Sequence, residues 1–116
     1  MLKSGLIKRL IEFRHERDWE QFHTPKDLAI SISLEASELL EWFQWKNSQQ
    51  ITEKLNSDKR ADLEDEVADI VAYLTYLCHD VGIDINEAVA NKIAKNAQKY
   101  PVEKVKGRSD KYNEYS

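Results

Sequence analysis

A single cysteine, Cys78, excludes an internal disulfide and a cysteine-rich zinc site, and it agrees with a reducing compartment. Stability has to come from packing. Three glycines and two prolines in 116 residues fall well below the roughly 12% combined share of average proteins, so positions for tight turns are few and a many-stranded β fold is disfavoured. No apolar run approaches the ~18 residues needed to cross a bilayer, which excludes a membrane-spanning helix. Basic residues are outnumbered by acids. Seventeen against twenty-one acids leave a net charge of −4, the wrong sign for a protein that neutralises the phosphates of polymeric nucleic acid. The start, Met1 to Ile11, interleaves Lys3, Lys8 and Arg9 with apolar residues and so lacks the compact apolar block of a secretory signal. A cytoplasmic protein is expected. What is present, 41% hydrophobic and 33% charged residues, fits one globular core burying roughly 65% of the unfolded chain's surface.

Punctuation around Trp19–Pro25, Lys46–Ser57, Gly82–Asn86 and Tyr100–Pro101 divides the chain into four expected helices. The first, Leu2 to Arg17, repeats Leu6, Ile7, Leu10, Ile11 and Arg14 at three- and four-residue steps. Thr24 caps the second, Pro25 occupies the first helical position, and Asp27 complements the dipole. It is expected to reach Trp45. Its stripe is Leu28, Ile32, Leu39, Trp42 and Phe43, while Ile30, Leu34 and Leu40 fall elsewhere on the wheel. Such a helix needs partners on more than one side, another subunit being one candidate. The third, Asp58 to Val81, carries Leu63, Val67, Ile70, Val71, Leu74, Leu77, Cys78 and Val81 on one face, and Gly82 stops it. Asp84-x-x-Glu87 opens the fourth, which ends at Tyr100 because Pro101 disfavours helix in the residue before it. The expected organisation is one helical domain over 1–100 and a polar tail over 101–116.

Acids intrude on two apolar faces. Glu35 falls within the stripe of the second helix, and Glu38 follows at i+3 near its edge. Glu66 and Asp69 repeat the arrangement on the third helix, with Asp62 and Tyr73 extending the line. One such pair alone is an ordinary solvated face; two pairs on two helices, both abutting apolar stripes, imply a shared site. Packed antiparallel, each like-charge contact at ~4 Å costs about 4 kcal/mol at an effective dielectric near 20, and several would rival the ~5–15 kcal/mol stability of a domain. Protonation or a cation has to compensate. Oxygen-only ligands suit hard divalent ions, Mg²⁺ first and Mn²⁺ as a substitute. A di-iron bundle would place histidine at i+3 from the inward acids, and neither pair has one.

Carboxylate-held magnesium commonly works on phosphates. Lys92 and Asn96, one turn apart on the fourth helix, offer a cation and an amide donor, with Lys99 and Tyr100 close by. A lysine-rich helix end serving the dipole is the plainer explanation of that segment. Trp19, Trp45 and Tyr73 offer flat faces on which a nucleobase stacks for ~1–3 kcal/mol, although Trp42 and Phe43 belong to the core stripe. His23, beside the Thr24 cap, is a further candidate contact; His15 and His79 are expected at the surface.

Together these features resemble the MazG-like all-α nucleoside triphosphate pyrophosphohydrolases, and the run Arg17-Asp-Trp-Glu-Gln-Phe-His-Thr-Pro25 looks most like their dCTP pyrophosphatase branch. The likeness covers nearly the whole chain: Glu35-x-x-Glu38, Glu66-x-x-Asp69, Phe43-Gln44-Trp45-Lys46, Lys92-x-x-x-Asn96, Tyr100-Pro101 and Lys111-Tyr112. It implies an all-α four-helix bundle assembled as a homodimer or homotetramer. It implies Mg²⁺-dependent cleavage of a nucleoside triphosphate, dCTP or a modified dCTP among them, to monophosphate and pyrophosphate, in the service of nucleotide-pool cleansing. Glu35, Glu38, Glu66 and Asp69 would hold the metal, Glu38 would act on the water, Trp19, Trp45 and Tyr73 would lie at base and sugar, and Lys92 and Asn96 at the phosphates. One departure falls at the base: Leu10 stands where animal relatives carry a histidine near the nucleotide. A non-catalytic helical interaction module is the alternative reading, and it expects no response of thermal stability to Mg²⁺ and nucleotide.

Overall fold

A computed structural model describes residues 1–107. Six α-helices and one 3-10 turn occur among them, with no strand: α1 (Ser4–Glu16), α2 (Pro25–Phe43), α3 (Ser48–Leu55), α4 (Arg60–Val81), α5 (Ile85–Lys99) and α6 (Val102–Val105). The four long helices fall where periodicity and caps placed them. Thr24 Oγ1 accepts the Asp27 N–H at the start of α2, Asp84 accepts the Glu87 N–H at the start of α5, and Gly82 ends α4 at φ 74°.

Two short helices depart from the four-helix expectation. The stretch expected as a loop contains α3, nucleated by a reciprocal capping box between Asn47 and Gln50. Lys54 of α3 then donates to the Trp42 carbonyl at 2.7 Å and lies 4.2 Å from the centre of the Trp42 ring. The Trp42 indole N–H donates to the Lys59 carbonyl at 3.1 Å, joining the end of α2 to the start of α4. The expected tail carries α6 just after Pro101; Lys111 and Tyr112 lie outside the described residues.

The described residues form two compact units, Leu2–Gly82 and, separately, Met1 with the residues from Ile83 onward. Within the first, α2 packs along α4 and α1 packs against α4. Leu28, Trp42 and Tyr76 are the buried apolar residues among those described, and Arg14 is buried with them at 3% exposure. The α2 stripe is otherwise half-buried at Ile32, Leu39 and Phe43. Ile30, Leu34 and Leu40 are exposed, Leu34 at 61%. On α4 the expected continuous face is interrupted, because Val67 and Val81 are exposed. For Val67 the reason is an open apolar groove of 560 Å³ between α1 and α4, lined by Leu2, Leu6, Leu10, Leu63, Val67 and Val71 among others.

Candidate functional site

Antiparallel helices carrying acids one turn apart bring three of the four expected carboxylates together. Glu35 and Glu38 of α2 and Glu66 of α4 each present an oxygen, and these oxygens all lie within 4.8 Å of one another. Glu38 is exposed, while Glu35 and Glu66 are half-buried. Glu35 Oε2 and Glu66 Oε2 are fully buried and have no hydrogen-bonded donor. Asp69, one turn after Glu66, stands outside this triad, but its charge helps to raise the Glu35 pKa.

The electrostatics of the triad follow from burial and crowding. Burial first, then the closely approaching carboxyls of Glu35 and Glu38, push the Glu66 carboxyl up to about 7. Glu35 is also raised, by burial first and then by Glu38 and Asp69, with the Glu66 hydrogen bond opposing. Such a set is compensated only by protons or by a cation. Carboxylate oxygens without sulfur or imidazole select a hard ion, and the two donorless buried oxygens are the atoms such an ion would satisfy. The residues present therefore fit a divalent metal.

Beside the carboxylates is a cavity of 250 Å³ whose walls include Phe13, Trp19, His23, Tyr73, Tyr76 and Asp69. It lies wholly within the first unit. Asp18, at φ 54°, turns the chain after α1 so that the Trp19 N–H reaches the Arg14 carbonyl at 3.2 Å. Trp19 then meets Phe13 edge-on at 5.7 Å and His23 at 6.2 Å. His23 packs on Tyr76 at 5.5 Å and edge-on to Tyr73 at 6.2 Å. Burial first, then the charge of Arg14, lower the His23 pKa, and its buried Nδ1 has no partner. The Tyr73 hydroxyl is raised by burial and then by the charges of Glu35, Asp69 and Glu38, so this ring feels both the cavity and the carboxylates.

The structure places Trp19, His23 and Tyr73, expected at the substrate, and Asp69, expected at the metal, on the wall of one cavity together with Phe13 and Tyr76, which the sequence did not single out. Arg14 was seen only as a member of an apolar stripe. A buried arginine in such a stripe requires an acid, and Asp80 of α4 supplies it. Trp45 is not gathered with the other rings: it is 91% exposed, at φ 65°. Lys92 is exposed and Asn96 half-buried, one turn apart on α5 in the second unit, where Tyr100 caps the same helix. His15 and His79 are exposed as expected.

The match to known proteins decides the family, because residues 30–115 fit the MazG-like family. The chain belongs to the MazG-like family. Among its MazG-like relatives, dCTP pyrophosphatase 1 of Mus musculus is 40% identical over 110 residues, covering 93% of this chain and 65% of the relative. The Homo sapiens protein of the same name is 38% identical over the same shares. The chain therefore spans 65% of the length of these curated relatives. A crystal structure of a pyrophosphatase from Archaeoglobus fulgidus superposes with a TM-score of 0.78 at 46% identity, covering 84% of this chain and 91% of that one.

Proposed function

We propose that this MazG-like chain is a Mg²⁺-dependent nucleoside triphosphate pyrophosphohydrolase that releases a nucleoside monophosphate and pyrophosphate. The observation that carries the reading is the Glu35, Glu38 and Glu66 cluster with its two buried, donorless oxygens. Family membership and the names of the relatives support it. dCTP or a modified dCTP is the proposed substrate, from the same relatives. Mn²⁺ is the expected substitute metal.

Glu35, Glu38, Glu66 and Asp69 are the residues that would hold the metal. When bound, it supplies charge neutralisation for the phosphates and acidifies a bound water. Glu38, the exposed member of the triad, orients the attacking water and takes its proton. Water oxygen bonds to the α phosphorus as the bond from that phosphorus to the bridging oxygen breaks, and pyrophosphate departs with the bridging oxygen. Lys92, Asn96 and Tyr100, all in the second unit, are the residues proposed to bind phosphate, Lys92 as a cation and Asn96 as an amide donor. Trp19, His23 and Tyr73 receive the base.

Exposed apolar residues on α2 and the open α1–α4 groove support a homodimer or homotetramer, since a second copy would cover Leu34 and Leu40 as well as Trp45. In such an assembly Trp45 is the ring brought to the base from outside. The catalytic domain is residues 1–100, with 101–116 as its tail. No helix among the described residues is long and apolar enough to cross a membrane, and a cytoplasmic role in cleansing the nucleotide pool fits the chemistry. The test is a panel of canonical and modified triphosphates incubated with Mg²⁺ and resolved by product. Monophosphate plus pyrophosphate is expected; diphosphate plus orthophosphate, or no turnover, overturns the reading.

A further inference from the structure

Arg14 is the buried charge that the proposed chemistry leaves unused. Its guanidinium is bidentate on Asp80, with Nη1 to Oδ2 at 2.8 Å and Nη2 to Oδ1 at 2.7 Å, a bond between helices α1 and α4. The same guanidinium lies 4.6 Å from the centre of the Tyr76 ring. Tyr76 in turn donates its hydroxyl to the Leu10 carbonyl at 3.2 Å. The aromatic cavity lies between these two helices: Leu10 and Phe13 come from α1, and Ala72, Tyr73 and Tyr76 come from α4. Arg14 itself is not part of its wall.

Within one chain the neighbouring α1–α4 groove is open over 560 Å³, so few side chains there restrain a shift of α1 along α4. A part-buried ion pair contributes little net stability; what a bidentate arginine adds is geometry. Here that geometry acts at one end of the cavity, and the backbone of Arg14 extends it, because its carbonyl also accepts the Trp19 N–H. His23 rests on Tyr76 with its buried Nδ1 free of any partner.

We propose that Arg14, through its pair with Asp80, is a positioning residue for the nucleotide base, holding the Tyr76 and His23 wall of the cavity that Trp19 also lines. This rests on the triphosphate reading of the site and adds a determinant of base binding to it. The part of the substrate it serves is the base, and the phosphates are held elsewhere. Loss of the pair therefore weakens ligands that carry a base and spares those that do not.

The experiment compares dCTP with inorganic tripolyphosphate, both with Mg²⁺, binding to the full chain and to Arg14→Lys and Asp80→Asn below each variant's melting midpoint. Each variant is expected to bind dCTP about tenfold more weakly while tripolyphosphate affinity changes less than about twofold, since only base stacking is lost. Equal losses on the two ligands, or unchanged dCTP affinity in a folded variant, overturn the inference. Should neither variant fold, Tyr76→Phe, which removes only the bond to Leu10, is read the same way and is expected to lose dCTP affinity selectively. Wild-type protein that binds neither ligand overturns the functional reading and this inference together. Wild-type binding and hydrolysis with indifferent variants overturns the inference alone.

Discussion

Glu35 and Glu66 stand on different helices, yet they bring carboxylate oxygens within 4.8 Å of each other, each with its Oε2 buried and lacking a donor. Two acids are not held this way for stability alone, because each disfavours the other's charge. The arrangement stores a demand for positive charge that a divalent ion would meet.

Adding Mg²⁺ is expected to raise the melting midpoint. At a concentration 100-fold above its dissociation constant the gain is about 2.7 kcal/mol, on the order of 10 °C for a chain of this size. Differential scanning fluorimetry reads it directly. Glu35→Gln removes one charge and one ligand, so its metal-free form should melt at or above the wild-type midpoint while the Mg²⁺ response collapses.

The pH dependence has a definite sign. The Glu66 pKa is raised to about 7 in the fold, so the folded state holds a proton that the unfolded chain has released. Its contribution to stability is complete below the ordinary glutamate range and is lost as pH rises through about 7. Metal-free protein should therefore lose stability through this group between about pH 5 and pH 8. Since a cation competes with that proton, the Mg²⁺-induced gain should grow over the same interval. Melting series at fixed ionic strength check both slopes.

Much of this was legible beforehand. The position of Glu35 within one apolar stripe and of Glu66 at the border of another are wheel properties, and Thr24, Pro25, Gly82 and Asp84 carry their helix boundaries in their own chemistry. Asp69 shows where the wheel stops. Sharing a helix face with Glu66 does not settle whether its oxygens reach the same point, because that depends on the crossing and register of α2 and α4. Helix α3 was missed although Asn47-x-x-Gln50 announces it, since eight residues give too short a period to read. The Arg14–Asp80 bond joins positions 66 apart in sequence, and no local pattern pairs a given buried arginine with one acid among many.

Glu38→Gln should lower turnover by about 10²- to 10⁴-fold with helicity unchanged by circular dichroism. Near-normal turnover would remove Glu38 from its role at the water. Asp69→Asn, measured by pyrophosphate release, is expected to fall in the same direction. Its separation from the triad makes it the variant most informative about whether the metal site extends to a fourth carboxylate.

Asp80 is held below its usual range chiefly by the Arg14 hydrogen bonds. Its stabilising contribution is present above the ordinary aspartate range and is lost as pH falls through the depressed value. Replacing Arg14 with Met removes the bond without leaving a buried cation, whereas Asp80→Asn leaves one. Chemical denaturation should therefore find Asp80→Asn the more costly change. A smaller loss for Asp80→Asn than for Arg14→Met would contradict this picture of the pair.

The most direct measurement is anomalous diffraction from crystals grown with Mn²⁺, which takes the same oxygen ligands as Mg²⁺. A peak about 2.1–2.3 Å from oxygens of Glu35, Glu38 and Glu66 is the expected result. Carboxylates turned apart into solvent, with no peak between them even when nucleotide is bound, would contradict the account at its centre.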